Sequence, residues 1–139
     1  MSAESGAAPE LPTFDTPVVS GIQGYGFEQS LRLAPDGTIY TSVPDSLSSA
    51  TSFLWRSLDG GRTFKWVPAA APYTGKLLTC VGGGDTELEV DETGSVYFID
   101  LTLANFSVGR SDDMGATFAT DCTAVTSALV DRQWYVVEG

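Results

Sequence analysis

The chain of 139 residues contains no histidine, and only seven lysines and arginines stand against 18 aspartates and glutamates, for a net charge of −11. Without His there is no imidazole base and the commonest metal ligand is missing, which excludes a Ser-His-Asp or Cys-His site built from this chain alone. The shortage of basic residues argues against nucleic acid and anionic membrane surfaces as partners, since both are held by Lys and Arg contacts. No apolar run approaches ~18 residues, so no transmembrane helix is expected. Two cysteines, Cys80 and Cys122, are too few for a zinc site.

The ends and linkers carry little. Residues 1–12 are small and polar, with Pro9 and Pro12. They lack the charged start and apolar core of a signal peptide and read as a mature N-terminus, or a linker with an added Met. Disorder is expected there. Asn105-Phe106-Ser107 fits the N-glycosylation triplet.

What is present is repetition. Ser57-Leu58-Asp59-Gly60-Gly61-Arg62-Thr63-Phe64 and Ser111-Asp112-Asp113-Met114-Gly115-Ala116-Thr117-Phe118 both read Ser-x-Asp-x-Gly-x-Thr-Phe, 54 residues apart. Ser and Asp side chains bond nearby backbone and set a turn, Gly allows a positive φ, and Thr-Phe suits the start of a strand. The phrase predicts a hairpin corner locked by its own side chains. A second echo supports the period. Leu31-Arg32-Leu33-Ala34-Pro35-Asp36-Gly37-Thr38-Ile39-Tyr40 resembles Leu88-Glu89-Val90-Asp91-Glu92-Thr93-Gly94-Ser95-Val96-Tyr97, with Gly37 and Gly94 57 residues apart.

Dense turn signals and short apolar runs predict an all-β chain. Strands are expected at about 28–34, 38–44, 52–57 and 63–68, and again at about 85–91, 95–101, 105–111 and 117–121. Four antiparallel strands per unit make a propeller blade. The expected layout is a flexible segment at 1–15, a first blade with a preceding strand at 16–70, a second blade at 71–125 and the start of a third at 126–139. Asp131-Arg132-Gln133-Trp134-Tyr135-Val136-Val137 would be that third unit's first strand. Two blades do not close a ring. The propeller is therefore expected to be incomplete, as a fragment of a longer chain or completed by further copies, with a compact two-repeat sandwich as a third option.

Ser57, Asp59, Gly61, Thr63 and Phe64, and again Ser111, Asp113, Gly115, Thr117 and Phe118, match the five defining positions of the Asp-box, or BNR repeat, of sialidase-like β-propellers. The chain resembles that family. The resemblance implies that the boxes are structural and that ligands bind on the opposite face, where each blade's first strand begins. The residues at that face are Glu28, Asp85 and Asp131, with Arg132 beside the last. Repeated acids around an opening suit a cation or sugar hydroxyls, or simply solvate the rim. The family's substrate-gripping Arg has no counterpart at Phe27-Glu28-Gln29, and its catalytic Tyr and Glu lie in blades outside this chain. No catalytic residue is assigned.

Asp85, Glu87, Glu89 and Asp91 share one strand face at period two and are the candidate metal ligands, with Ca²⁺ as the cofactor such a ladder suits. Arg32 occupies the repeat position of Glu89, so an ion pair between blades is the competing account. Trp55, Trp66 and Trp134 are expected in the core between blades, with sugar stacking as the alternative. The blade layout puts Cys80 and Cys122 in loops that leave a fourth strand, where they either pair or remain thiols. A disulfide favours an exported protein, so a secreted or extracellular location is expected. The expected function is a scaffold or binding module with a glycan as ligand, and the remaining blades or further copies as partners. Part of an exo-acting sialidase-like glycoside hydrolase is the alternative, and a self-assembling fragment is another.

Overall fold

The computed structural model describes residues 10–18, 28–44, 52–67, 84–102, 105–126 and 131–138. Among the described residues, eight strands form two four-stranded antiparallel sheets, each wound in sequence order. The first sheet holds β1 (Ser30–Leu33), β2 (Ile39–Pro44), β3 (Ser52–Ser57) and β4 (Lys65–Trp66). The second holds β5 (Thr86–Val90), β6 (Val96–Thr102), β7 (Asn105–Ser111) and β8 (Ala119–Thr126). Neither sheet closes on itself. The fold is thus all-β and propeller-like, and incomplete.

The first hairpin of each sheet turns on a glycine in the left-handed region, Gly37 at φ 88° and Gly94 at φ 88°. In the first, the Gly37 amide donates to Ala34 O at 2.9 Å and the Thr38 amide to Asp36 Oδ1 at 2.9 Å. In the second, Asp91 stands where Ala34 stood. Its Oδ1 accepts from the Thr93 and Ser95 amides, both at 2.9 Å, and from Thr93 Oγ1 at 2.6 Å. The side chain therefore adds a lock that the first turn lacks.

The repeated octapeptides join β3 to β4 and β7 to β8. Ser57 Oγ donates to Asp59 Oδ1 at 2.9 Å and accepts from the Gly61 amide at 2.9 Å. Asp59 takes the Thr63 amide at 2.8 Å and the Thr63 hydroxyl at 2.6 Å. Ser111, Asp113, Gly115 and Thr117 repeat every one of these bonds, at 2.8, 2.8, 2.8 and 2.6 Å.

One core is shared by the two sheets: Ala34, Tyr40, Leu54 and Val67 from the first, Leu88, Val96 and Phe98 from the second, with Val90 and Phe118 packed against it. Full burial of a Leu or Phe side chain contributes roughly 1.5–3 kcal/mol. Leu88 and Phe98, both fully buried on adjacent strands, are the second sheet's fully buried large members of this core. Polar links cross between the sheets beside this core. Ser42 and Thr86 hydroxyls meet at 3.0 Å, and Ser52 Oγ donates to Asp100 Oδ1 at 3.0 Å.

Several expectations need correction. β4 has two residues, because Thr63 is held by Asp59 within the turn and Phe64 follows directly. β8 is longer than expected and contains Cys122, which is therefore on a strand rather than in a loop. Residues 131–138 form no strand, although exposure along them mostly alternates, with Gln133 buried, Trp134 and Val136 exposed and Tyr135 between. The expected strand near 16–22 is absent at 16–18, and 19–22 lie outside the described residues. Of the expected flexible segment, 1–9 also lie outside them, and Leu11 and Phe14 are exposed.

Candidate functional site

The inner strands β1 and β5 and the segment 131–138 come together at one end of the two sheets. Three side chains from distant parts of the chain meet there. Arg132 Nη1 lies 3.0 Å from Glu28 Oε2 and 3.8 Å from Asp85 Oδ1. Both Glu28 (φ 53°) and Arg132 (φ 55°) adopt left-handed backbone conformations, which cost a non-glycine residue about 1–3 kcal/mol. Asp85 is 8% exposed. Burial, reinforced by the adjacent Glu28 carboxylate, pushes its carboxyl up to about 6 against the pull of Arg132. The buried Gln133 donates its amide to Asp85 O at 2.8 Å and fastens the segment from below. Gln133 Oε1 is buried with no hydrogen-bond partner among the described residues.

A second cluster lies two residues along the strands. Arg32 Nη2 is 2.9 Å from Glu87 Oε1 and 3.0 Å from Glu89 Oε1. The Ser30 hydroxyl donates to Glu87 Oε1 at 2.6 Å. The hydrogen bond to Glu89 raises the pKa of Arg32, so the guanidinium stays charged. Tyr135 packs over the pair. Its hydroxyl donates to Tyr97 O at 2.7 Å, and burial beside Glu89 and Glu87 raises its pKa.

Between these clusters opens a groove of about 610 Å³. Its polar lining includes Arg32, Glu87 and Glu89, and its apolar wall is Leu31, Trp134 and Val136. Trp134 is 76% exposed, with the Arg132 guanidinium 5.8 Å from its ring centroid. Such a surface offers a flat apolar face beside charged hydrogen-bonding groups. Its described lining holds no assembled nucleophile and base.

The structure thus unites Glu28, Asp85 and Arg132, while Asp131 is exposed at the same end and makes no ion pair among the described residues. The expected metal ladder is not assembled. Among the described residues no group of three or more acids is placed to hold a metal ion. Glu87 and Glu89 share Arg32 instead, and Asp91 is consumed by its turn, where the Thr93 hydroxyl holds its carboxyl down to about 2. The octapeptide aspartates are likewise turn locks, held down to about 2 by Thr63 and Thr117.

Trp55 and Trp66 pack with Phe53 at centroid distances of 5.1–5.6 Å. They lie on the face of the first sheet that alternates away from Tyr40 and Leu54, so they are outside the shared core. Trp134 is also outside it. The Asn105 amide donates to Cys122 O, and Ser107 is buried, so the glycosylation triplet is built into β7. Cys122 is not a free thiol, and Cys80 lies outside the described residues.

Sequence reasoning missed Ser30, Leu31 and Tyr135. The available signal was the 57-residue register, which aligns Ser30 with Glu87 and makes Arg32 and Glu89 neighbours across the sheets.

No helix among the described residues is long and apolar enough to cross a membrane. No protein-family model matches the chain, and no curated protein does. Among solved structures, the chain is similar to a protein of unknown function from Dyadobacter fermentans DSM 18053, with a TM-score of 0.44 and 18% identity over 66% of this chain. The match spans 26% of that chain's length. At that level the likeness bears on neither fold family nor function.

Proposed function

We propose that this chain is a binding module of a sialidase-like Asp-box propeller, with a glycan as its ligand in the groove between β1 and residues 131–138. The groove itself is the observation that carries this reading. An exposed indole beside fixed Arg and Glu groups suits a sugar, whose ring has an apolar C–H face and a hydroxyl edge. Trp134 supplies the stacking face, and Arg32, Glu87 and Glu89 supply hydrogen bonds to hydroxyls. Calorimetric titration with short oligosaccharides tests it. Binding that Trp134→Ala weakens about tenfold or more is expected, since losing one stacking contact costs about 1.4 kcal/mol. No binding to any oligosaccharide would overturn the reading.

A second reading concerns partners. Gln133 and Tyr135 are turned onto the second sheet, yet residues 131–138 have no hydrogen-bonded strand beside them among the described residues. Leu31 and Leu33 on β1 are 59% and 66% exposed. Both features favour packing against further blades, in a longer chain or in other copies of this one. Light scattering distinguishes the two, because copies that complete a ring raise the mass well above 14.7 kDa. We further propose a Cys80–Cys122 disulfide and an extracellular location. Mass spectrometry of alkylated protein, with and without reductant, checks the pairing.

A further inference from the structure

The charges around the groove are unbalanced in one direction. Arg32 serves two carboxylates, Glu87 and Glu89, and Arg132 serves two more, Glu28 and Asp85. The Arg32 cluster keeps one surplus negative charge when its acids are ionised, and the Arg132 cluster does so only above about pH 6, where Asp85 gives up its proton. Among the described residues, every hydrogen bond to Glu87 ends on Oε1: from Ser30 Oγ, from Arg32 Nη2 and from the Leu88 amide. Oε2 therefore retains its acceptor capacity beside the groove. The cations on the described lining, Arg32 and Arg132, are already engaged, so a carboxylate or sulfate on a ligand would meet occupied guanidiniums and surplus acids. The chain as a whole repels anions as well, at −11.

We infer that the groove selects sugars bearing a free, protonated amine, an amino sugar of glucosamine type, over neutral and acidic ones. The inference rests on the glycan reading and names its ligand class. An ammonium suits the site because it offers three donors and one positive charge to Glu87 and Glu89 while the ring lies on Trp134. A partly buried carboxylate pair favours a cation over a neutral group. Leu31 and Val136 complete the apolar side, leaving the charged selection to one edge of the ring.

The experiment uses the full chain and three probes of similar size: a glucosamine trimer, its N-acetylated counterpart and sialyllactose. Titrations are run in mildly acid buffer that keeps the amines charged, at low and high salt. The amine trimer is expected to bind about tenfold more tightly than the acetylated one, with most of that advantage lost in high salt, because one added ion pair at a partly exposed site is of that order. Glu89→Gln is expected to bring the ratio between the two trimers towards one, and sialyllactose to bind weakest. Equal or tighter binding of the acetylated trimer would overturn the charge selection and leave the glycan reading standing. Tightest binding of sialyllactose would reverse it outright. No binding of any probe overturns both. The ratio under Glu89→Gln separates selection by this carboxylate from attraction by overall charge, since the rest of the chain's acids remain.

Discussion

The two Ser-x-Asp-x-Gly-x-Thr-Phe turns hold the same hydrogen bonds, yet only one of them is packed against the other sheet. In the first, a Cβ added to Gly61 would meet nothing closer than Ile39 Cδ1 at 3.5 Å. In the second, a Cβ on Gly115 would lie 2.7 Å from Val67 Cγ1, and the Met114 carbonyl accepts from Arg56 of the first sheet. The fourth position also differs. Gly60 occupies it at φ 68°, while Met114 carries a side chain there at φ 60°. The lock is a local device that both copies form with side chains of the phrase itself. Where the second copy sits makes it part of the join between sheets as well.

The largest expected effect breaks this equivalence at the glycines. Gly115→Ala combines a strained φ of 84° with a steric clash into Val67 and should cost about 3 kcal/mol, whereas Gly61→Ala carries the strain alone and should cost about 1 kcal/mol. Urea denaturation midpoints of the two variants test the difference, and equal losses would show that the packing of the second turn is immaterial.

Next in size is Arg32→Gln, which leaves Glu87, with its side chain 10% exposed, short of its cation. A loss of about 2 kcal/mol is expected, and Glu87→Gln in the same background should recover part of it. The fourth octapeptide position gives the smallest effect. Gly60→Ala should cost about 1 kcal/mol and Met114→Gly gain about 0.5 kcal/mol, because only the left-handed backbone is at issue there.

Titration sets the turns against the inner rim. Asp59, Asp113 and Asp91 are held down to about 2, first by hydrogen bonds from Thr63, Thr117 and Thr93 respectively. A lowered folded pKa gives stability that is present above the ordinary carboxylate value and is lost as pH falls towards about 2. Asp85 is raised to about 6, first by burial. It binds its proton more tightly when folded, so its contribution is present below the ordinary value and is lost as pH rises through about 6. Thermal melts should therefore show greatest stability near pH 4, with a decline between about 4 and 6 that Asp85→Asn removes while leaving the acid-side loss in place. A decline unchanged in that variant would detach it from Asp85.

Much of the architecture was legible in the chain because its signals are local. The turn at Asp36-Gly37 and its counterpart at Thr93-Gly94, the twin octapeptides and the short apolar run of β3 need only a few neighbouring residues to act. β3 was expected at 52–57 and forms at Ser52–Ser57. The 57-residue register also offered an Arg32–Glu89 ion pair as the alternative to a metal, and that pair forms. Residues 131–137 misled, since alternation reports which side chains face the second sheet and says nothing of a strand to pair with. The acidic ladder misled because Asp91 has a closer use, in its own turn, than any shared ion.

By itself the sequence determined two β-units, their order, their self-locked turns and a net charge of −11. These features arise from side chains bonding backbone within a few residues and from the period of apolar positions. Only the tertiary structure decided that Arg132 would reach Glu28 across 104 residues, that Asp85 would be buried, and that Trp134 would face a groove rather than a core. The reason is physical. Burial and ion pairing at the rim depend on how the inner strands of separate units converge, and no spacing along one strand encodes that distance.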